Sequence, residues 1–151
     1  MAPPGVNAFY YYAFTAIDPL LSLSAVYMNL FAPEAFLDPA FARTSALGKL
    51  NASHAYLQHQ SAGTYAMFIF LMIFMLPSTD DLKLWKKFQG GLLFTDVAAL
   101  YAMWKAVEAQ RGEWRIEGIS NVVILLVIAV TRTCFVTGIG VGKSSAEKKS
   151  T

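Results

Sequence analysis

Apolar residues in this chain run in long blocks with few polar interruptions. Four blocks of about 20 residues are each long enough, as helices, to cross a hydrocarbon layer of ~30 Å. The first runs from Ala8 to Phe31 and carries one charge, Asp18. The second, Ala55 to Leu76, carries none and stops at Pro77. The third, Trp85 to Lys105, has Lys86, Lys87 and Lys105 near its ends and Asp96 inside. The fourth, Ile119 to Val141, holds Arg132. Ala66 to Leu76 and Val122 to Val130 show no polar face, unlike helices that lay one side on a soluble core. The pattern predicts an all-α protein in a single domain over residues 1–151. Its expected architecture is an integral membrane bundle of four transmembrane helices with short polar tails. A soluble all-α domain with four buried core helices is the alternative.

The third block is the least apolar, but Trp85 and Trp104 flank it at a spacing of ~29 Å along a helix. That spacing suits the two interfacial belts of a bilayer. Ordinary core packing is the other reading of the two tryptophans.

Composition narrows the function classes. Hydrophobic residues make up 56%, charged residues 15%, and mean hydropathy is +0.44. Soluble domains carry ~25% charged residues. A disordered tail is excluded, and so is a nucleic-acid partner. The net charge is only +2, and no basic block is long enough to follow a phosphate backbone. The single cysteine, Cys134, rules out an internal disulfide and a thiolate metal cage. Met1–Asn7 holds no basic residue, so the first block reads as a retained helix rather than a signal peptide.

Four crossings would put both chain ends on one face. Lys83, Lys86, Lys87, Lys143, Lys148 and Lys149 lie there, against Arg43, Lys49, Lys105, Arg111 and Arg115 on the other. This leans by one residue towards cytosolic ends, and the endoplasmic reticulum is the expected membrane. Asn51-Ala52-Ser53 is a glycosylation sequon, but too near the second block to expect modification.

Three ionisable groups fall inside the blocks, each costing ~2.5–3.5 kcal/mol on insertion scales. Counted along helices, Asp18 lies ~15 Å, Asp96 ~16 Å and Arg132 ~14 Å from the same face. A bundle can therefore gather them, with Arg132 offsetting two carboxylates. One reading is a catalytic chamber in which an aspartic acid, kept protonated by burial and its neighbour, gives a proton to an alkene, epoxide or carbonyl and takes one back. The other is a charged triad that only locks helix positions. Pro19 cannot donate to the Thr15 carbonyl, which predicts a kink and a free acceptor beside Asp18.

Tyr11, Thr15 and Ser22 share the face of Asp18 at i−7, i−3 and i+4, and are candidate substrate-binding residues. Gln58 and His59 are candidates for the mouth of the chamber. His54 and His59 are about 140° apart on a helix, so no metal site is expected; no cofactor is expected either. The run TGIGVGKS, Thr137 to Ser144, lacks the first glycine of a phosphate loop and ends a membrane helix. Gly138, Gly140 and Gly142 read as helix terminators, and Gly90 and Gly91 as sites of close helix contact. Tyr10, Tyr11 and Tyr12 read mainly as interfacial anchors.

Four stretches carry a family resemblance: Phe14 to Phe31 (FTAIDPLLSLSAVYMNLF), Ser78 to Trp85 (STDDLKLW), Thr95 to Tyr101 (TDVAALY) and Thr131 to Gly140 (TRTCFVTGIG). In that order they resemble a largely uncharacterised group of small fungal four-helix membrane proteins, some of them in secondary-metabolite clusters. Asp18, Asp96 and Arg132 fall on the group's acid before the first-helix proline, its third-helix acid and its fourth-helix Thr-Arg. The group usually has Glu where Asp18 stands. A Gly-His pair usually follows the third-helix acid, where Val97-Ala98-Ala99 stands here. The architecture is more distantly similar to the EXPERA-type fold of emopamil-binding sterol isomerases. The resemblance implies a lipophilic substrate, terpenoid or polyketide, a redox-neutral cyclisation, isomerisation or hydration, and biosynthetic enzymes as partners. A ligand-binding, chaperone or transport accessory is the non-catalytic alternative.

Overall fold

The computed structural model of the chain describes residues 3–42, 45–110 and 114–142. Arg43, Arg111, Lys143, Lys148 and Lys149, and the Lys143-Ser144 end of TGIGVGKS, lie outside these residues. Among the described residues every regular element is helical. α1 covers Ala8–Phe31, α2 is the short Pro33–Leu37, α3 covers Ala52–Ser78, α4 is Leu82–Ala109 and α5 is Ile116–Thr137.

Local chemistry sets these limits. The Asn7 side chain accepts from the Tyr10 N–H at 3.0 Å, and the Asn51 side chain from the His54 N–H at 2.8 Å, capping α1 and α3. Asp81 caps α4 through the Lys83 N–H at 2.8 Å. Gly138, at φ 90°, turns the chain left-handed and ends α5, and the Ile139 N–H closes back on the Cys134 carbonyl at 2.8 Å. The last helix therefore stops at Thr137 and not at Val141.

Both prolines inside the long helices follow a wide turn. A π turn over Ala13–Ile17 precedes Pro19, and a second over Leu71–Met75 precedes Pro77. The widened turn, with a 3-10 turn at Leu76–Ser78, carries α3 through Pro77 where the sequence pattern stops it at Leu76. The two π turns touch each other.

Three of the four long helices, α1, α3 and α5, are long and apolar enough to cross a membrane. α4 has the length, at 28 residues, but it carries Lys83, Lys86, Lys87, Asp96, Lys105 and Glu108. α1 packs along α3, and α4 along α5.

At one end, Tyr10 and Phe14 of α1, Met72 and Leu76 of α3, Trp85 and Leu92 of α4 and Phe135 of α5 form the buried core. The Phe14 and Phe135 rings meet edge to face at 5.0 Å. Trp85 takes the core reading: it is fully buried, its indole N–H reaches the Thr79 carbonyl at 3.2 Å, and it stacks on Tyr11. Trp104 is exposed. The Gly142 N–H donates to the Gly5 carbonyl at 2.8 Å, and the Tyr10 hydroxyl to the Ile139 carbonyl at 2.7 Å, so the two ends of the described chain lie side by side.

At the opposite end the segment around α2 is fastened to three helices. Gln58 of α3 donates to the Pro33 carbonyl at 3.2 Å, and Gln110 to the Ala40 carbonyl at 2.5 Å. Arg115 bonds both the carbonyl and the carboxylate of Asp38. A Cβ on Gly118 would lie 2.7 Å from the Pro39 carbonyl oxygen, so the closest backbone approach at a helical glycine is here. Gly91 faces open space, and a Cβ on Gly90 would make only ordinary contact with Val136. Gly90 thus faces α5 at ordinary packing distance, and neither glycine is held by a backbone approach as close as that at Gly118.

Candidate functional site

Asp18 follows the first π turn, where its N–H reaches back to the Ala13 carbonyl, five residues away. The extra residue changes the phase of α1. Tyr10, Phe14, Asp18 and Pro19 are its buried positions in this stretch, while Tyr11 and Thr15 are half-buried. An aromatic face therefore leads up to the acid, with Tyr11 and Thr15 half-buried on its flank.

Across from Asp18, α4 and α5 supply the rest of the cluster. The Arg132 Nη2 donates to Asp18 Oδ2 at 2.5 Å, and Nη1 to both Asp96 oxygens at 2.5 Å. Nη1 also reaches the Leu92 carbonyl at 3.4 Å, and Nε donates to Gln89 Oε1 at 3.1 Å. The structure thus brings Asp18, Asp96 and Arg132 together on one guanidinium. Exposure is 7% for each aspartate, 4% for Arg132 and 0% for Gln89.

Gln89 is the member that the sequence reading missed. It lies seven residues before Asp96, two turns along one face of α4, and that spacing is the signal that points to it. Its bond to Arg132 fixes the amide, because only the carbonyl oxygen can accept from a guanidinium. The amide nitrogen is left buried without a partner. Tyr65, half-buried on α3 and seven residues beyond Gln58, lies close enough to Asp96 to interact with it electrostatically. It too is absent from the sequence reading.

The other expected binding residues are scattered. Thr15 spends its hydroxyl on the Tyr11 carbonyl at 2.7 Å, and Tyr11 stacks on Trp85 at 6.1 Å. Ser22 is half-buried one turn beyond Asp18. Gln58 sits beside Pro33 at the far end of α3, and His59 is exposed. Among the described residues, no group of three or more His, Cys, Asp or Glu side chains could hold a metal ion.

Chemically the cluster joins one permanent cation to two carboxylates inside an apolar bundle. Such a buried set is tolerated only when paired and hydrogen-bonded. Charge balance is reached when the two carboxylates hold one proton between them, and the unpartnered Gln89 N–H adds a neutral donor.

The family described as "Domain of unknown function (DUF7704)" matches residues 5–142, nearly all of the described chain. No curated protein and no solved structure matches.

Proposed function

Since the chain belongs to the DUF7704 family, a domain of unknown function, its own residues must carry the functional reading, and we propose a membrane protein of four crossings that acts on a lipophilic small molecule by acid–base chemistry at Asp18, Asp96 and Arg132. The observation that carries this reading is the fully buried, unpartnered amide nitrogen of Gln89 beside the charged cluster. An orphaned buried donor is costly, and a ligand oxygen would relieve it.

In this reading the Gln89 N–H holds a carbonyl, hydroxyl or epoxide oxygen of the substrate. The proton shared by the two carboxylates passes to the substrate, and the other carboxylate takes one from a neighbouring carbon. Protons balance, so the reaction is a redox-neutral cyclisation or isomerisation. Arg132 positions both acids and keeps the cluster neutral when it holds one proton. The resemblance to fungal secondary-metabolite proteins and to the EXPERA-type fold adds only analogy towards terpenoid or polyketide substrates.

Two observations support a fourth crossing, by α4. The Gly5–Gly142 hydrogen bond holds both ends of the described chain at one end of the bundle, an arrangement that fits an even number of crossings. The charges near the ends of α4 suit headgroups, and Asp96 within it is paired. The orientation with cytosolic ends and the endoplasmic reticulum belong to the same proposal.

The structural fastener is the second reading. Each guanidinium nitrogen of Arg132 already bonds a protein oxygen, so the cluster fulfils a locking role without a ligand. Lipophilic extracts of the source organism separate the two. The strains are wild type, a deletion and Asp18→Asn, with protein abundance measured. A precursor that accumulates in both altered strains at normal abundance supports chemistry. An unchanged profile, or loss of the protein itself, supports the fastener.

A further inference from the structure

A second place on the molecule carries an unpartnered buried group, about 20 Å from the charged cluster as counted along the helices. Leu37, Phe41, Leu47, Leu57, His54 and Gln58 line a cleft of ≈ 200 Å³ at the α2 end of the bundle. Its walls are apolar except for His54 at an exposed position and Gln58, which is only 6% exposed. The Gln58 amide is oriented by its bond to the Pro33 carbonyl, since only the nitrogen can donate there. That leaves Gln58 Oε1 as a buried acceptor with no partner.

We propose that this cleft is a binding site for the hydroxyl end of a lipophilic alcohol, with Gln58 Oε1 accepting the ligand O–H. The acceptor selects the chemistry. A ketone, ether, ester or carboxylate brings only acceptors and leaves Oε1 unsatisfied, whereas an alcohol satisfies it. The depth selects the orientation. Gln58 is six residues into α3, about 9 Å along the helix, so a bound hydroxyl sits near the interface while its chain enters the hydrocarbon. Drug-sized pockets span ~300–1,000 Å³. This smaller cleft takes the head and first carbons of an alkyl or prenyl chain and leaves the rest in lipid. The site is independent of the acid–base reading at Asp18 and Asp96.

The test uses the full chain in phosphatidylcholine vesicles and two photoreactive probes, a diazirine-bearing farnesyl-type alcohol and its O-methyl ether. After photolysis the labelled residues are mapped by peptide mass spectrometry. The alcohol should label the cleft roughly fivefold more than the ether, the effect of about one net hydrogen bond. Gln58→Leu should abolish that preference. Leu47→Trp, which fills the cleft without touching the amide, should remove the labelling at an unchanged melting temperature, and so keeps the proposal testable if Gln58→Leu does not fold. Equal labelling by alcohol and ether would overturn it. So would label spread evenly over the lipid-facing helices, or labelling undiminished in Leu47→Trp.

Discussion

Asp18 and Arg132 are separated by 114 positions in the chain and joined at 2.5 Å inside the bundle. The bond ties α1, which packs along α3, to α5, which packs along α4. It is therefore a cross-link between two helix pairs. Removing the cation should be far more damaging than removing a carboxylate charge. Arg132→Met leaves two buried acids facing each other and should cost about 3–5 kcal/mol. Asp18→Asn keeps an acceptor for the guanidinium and should cost about 1–3 kcal/mol. Thermal unfolding in detergent measures both. An Arg132→Met protein as stable as its parent would show that the cross-link contributes nothing.

The number of crossings is open to chemical labelling. In a Cys134→Ser background, single cysteines at Thr79 and Trp114 flank α4. A membrane-impermeant maleimide should reach one from each side of sealed vesicles, with Lys49→Cys labelling from the same side as Trp114→Cys. Labelling of Thr79→Cys and Trp114→Cys from one side alone would reduce the count to three.

Two glycines should respond oppositely to alanine. Gly118→Ala forces a Cβ to within 2.7 Å of the Pro39 carbonyl and must push the α2 segment away. Overpacking of this kind costs about 1–3 kcal/mol. Gly91 has nothing within 4 Å of an added Cβ, and in a helix interior Gly91→Ala should gain up to about 1 kcal/mol. Melting temperatures of the two variants check the contrast.

The chain-end clamp has a smaller expected effect. Tyr10→Phe keeps the ring against Phe135 and deletes only the hydroxyl that donates to Ile139. The loss should be about 1 kcal/mol. Hydrogen exchange at Ile139 to Val141 should rise more than exchange in α3.

Much of this was legible in the sequence because burial in lipid and in protein both demand long apolar runs. The four blocks locate the four long helices. Counting rises along them puts Asp18, Asp96 and Arg132 at one depth, and all three meet there. What could not be read was phase. Uniform spacing leaves Tyr11 and Thr15, at i−7 and i−3, and Phe14, at i−4, on the acid's face alike, and the π turn beside which Tyr10 and Phe14 are the buried ones leaves no mark in the apolar pattern. Gln89 was hidden for a different reason. A glutamine among Lys87, Gly90 and Gly91 looks like a helix end facing water, and only the guanidinium of a distant helix makes it a core residue. Gly118 likewise looks like any helical glycine until Pro39 arrives against it.

The π turn at Ala13–Ile17 also works as a one-residue counter. A wide turn absorbs one extra residue locally, so deleting one position there would restore even α winding and leave the segments on either side facing as they do now. The aromatic face that docks on Phe135 and the carboxylate that docks on Arg132 would keep their relation, whereas a deletion or insertion in the regular winding on either side would turn one against the other by about 100°. The wide turn is thus the place where α1 can change length by one residue. A single-residue deletion within it should be absorbed far more readily than one in the regular winding between Asp18 and Phe31.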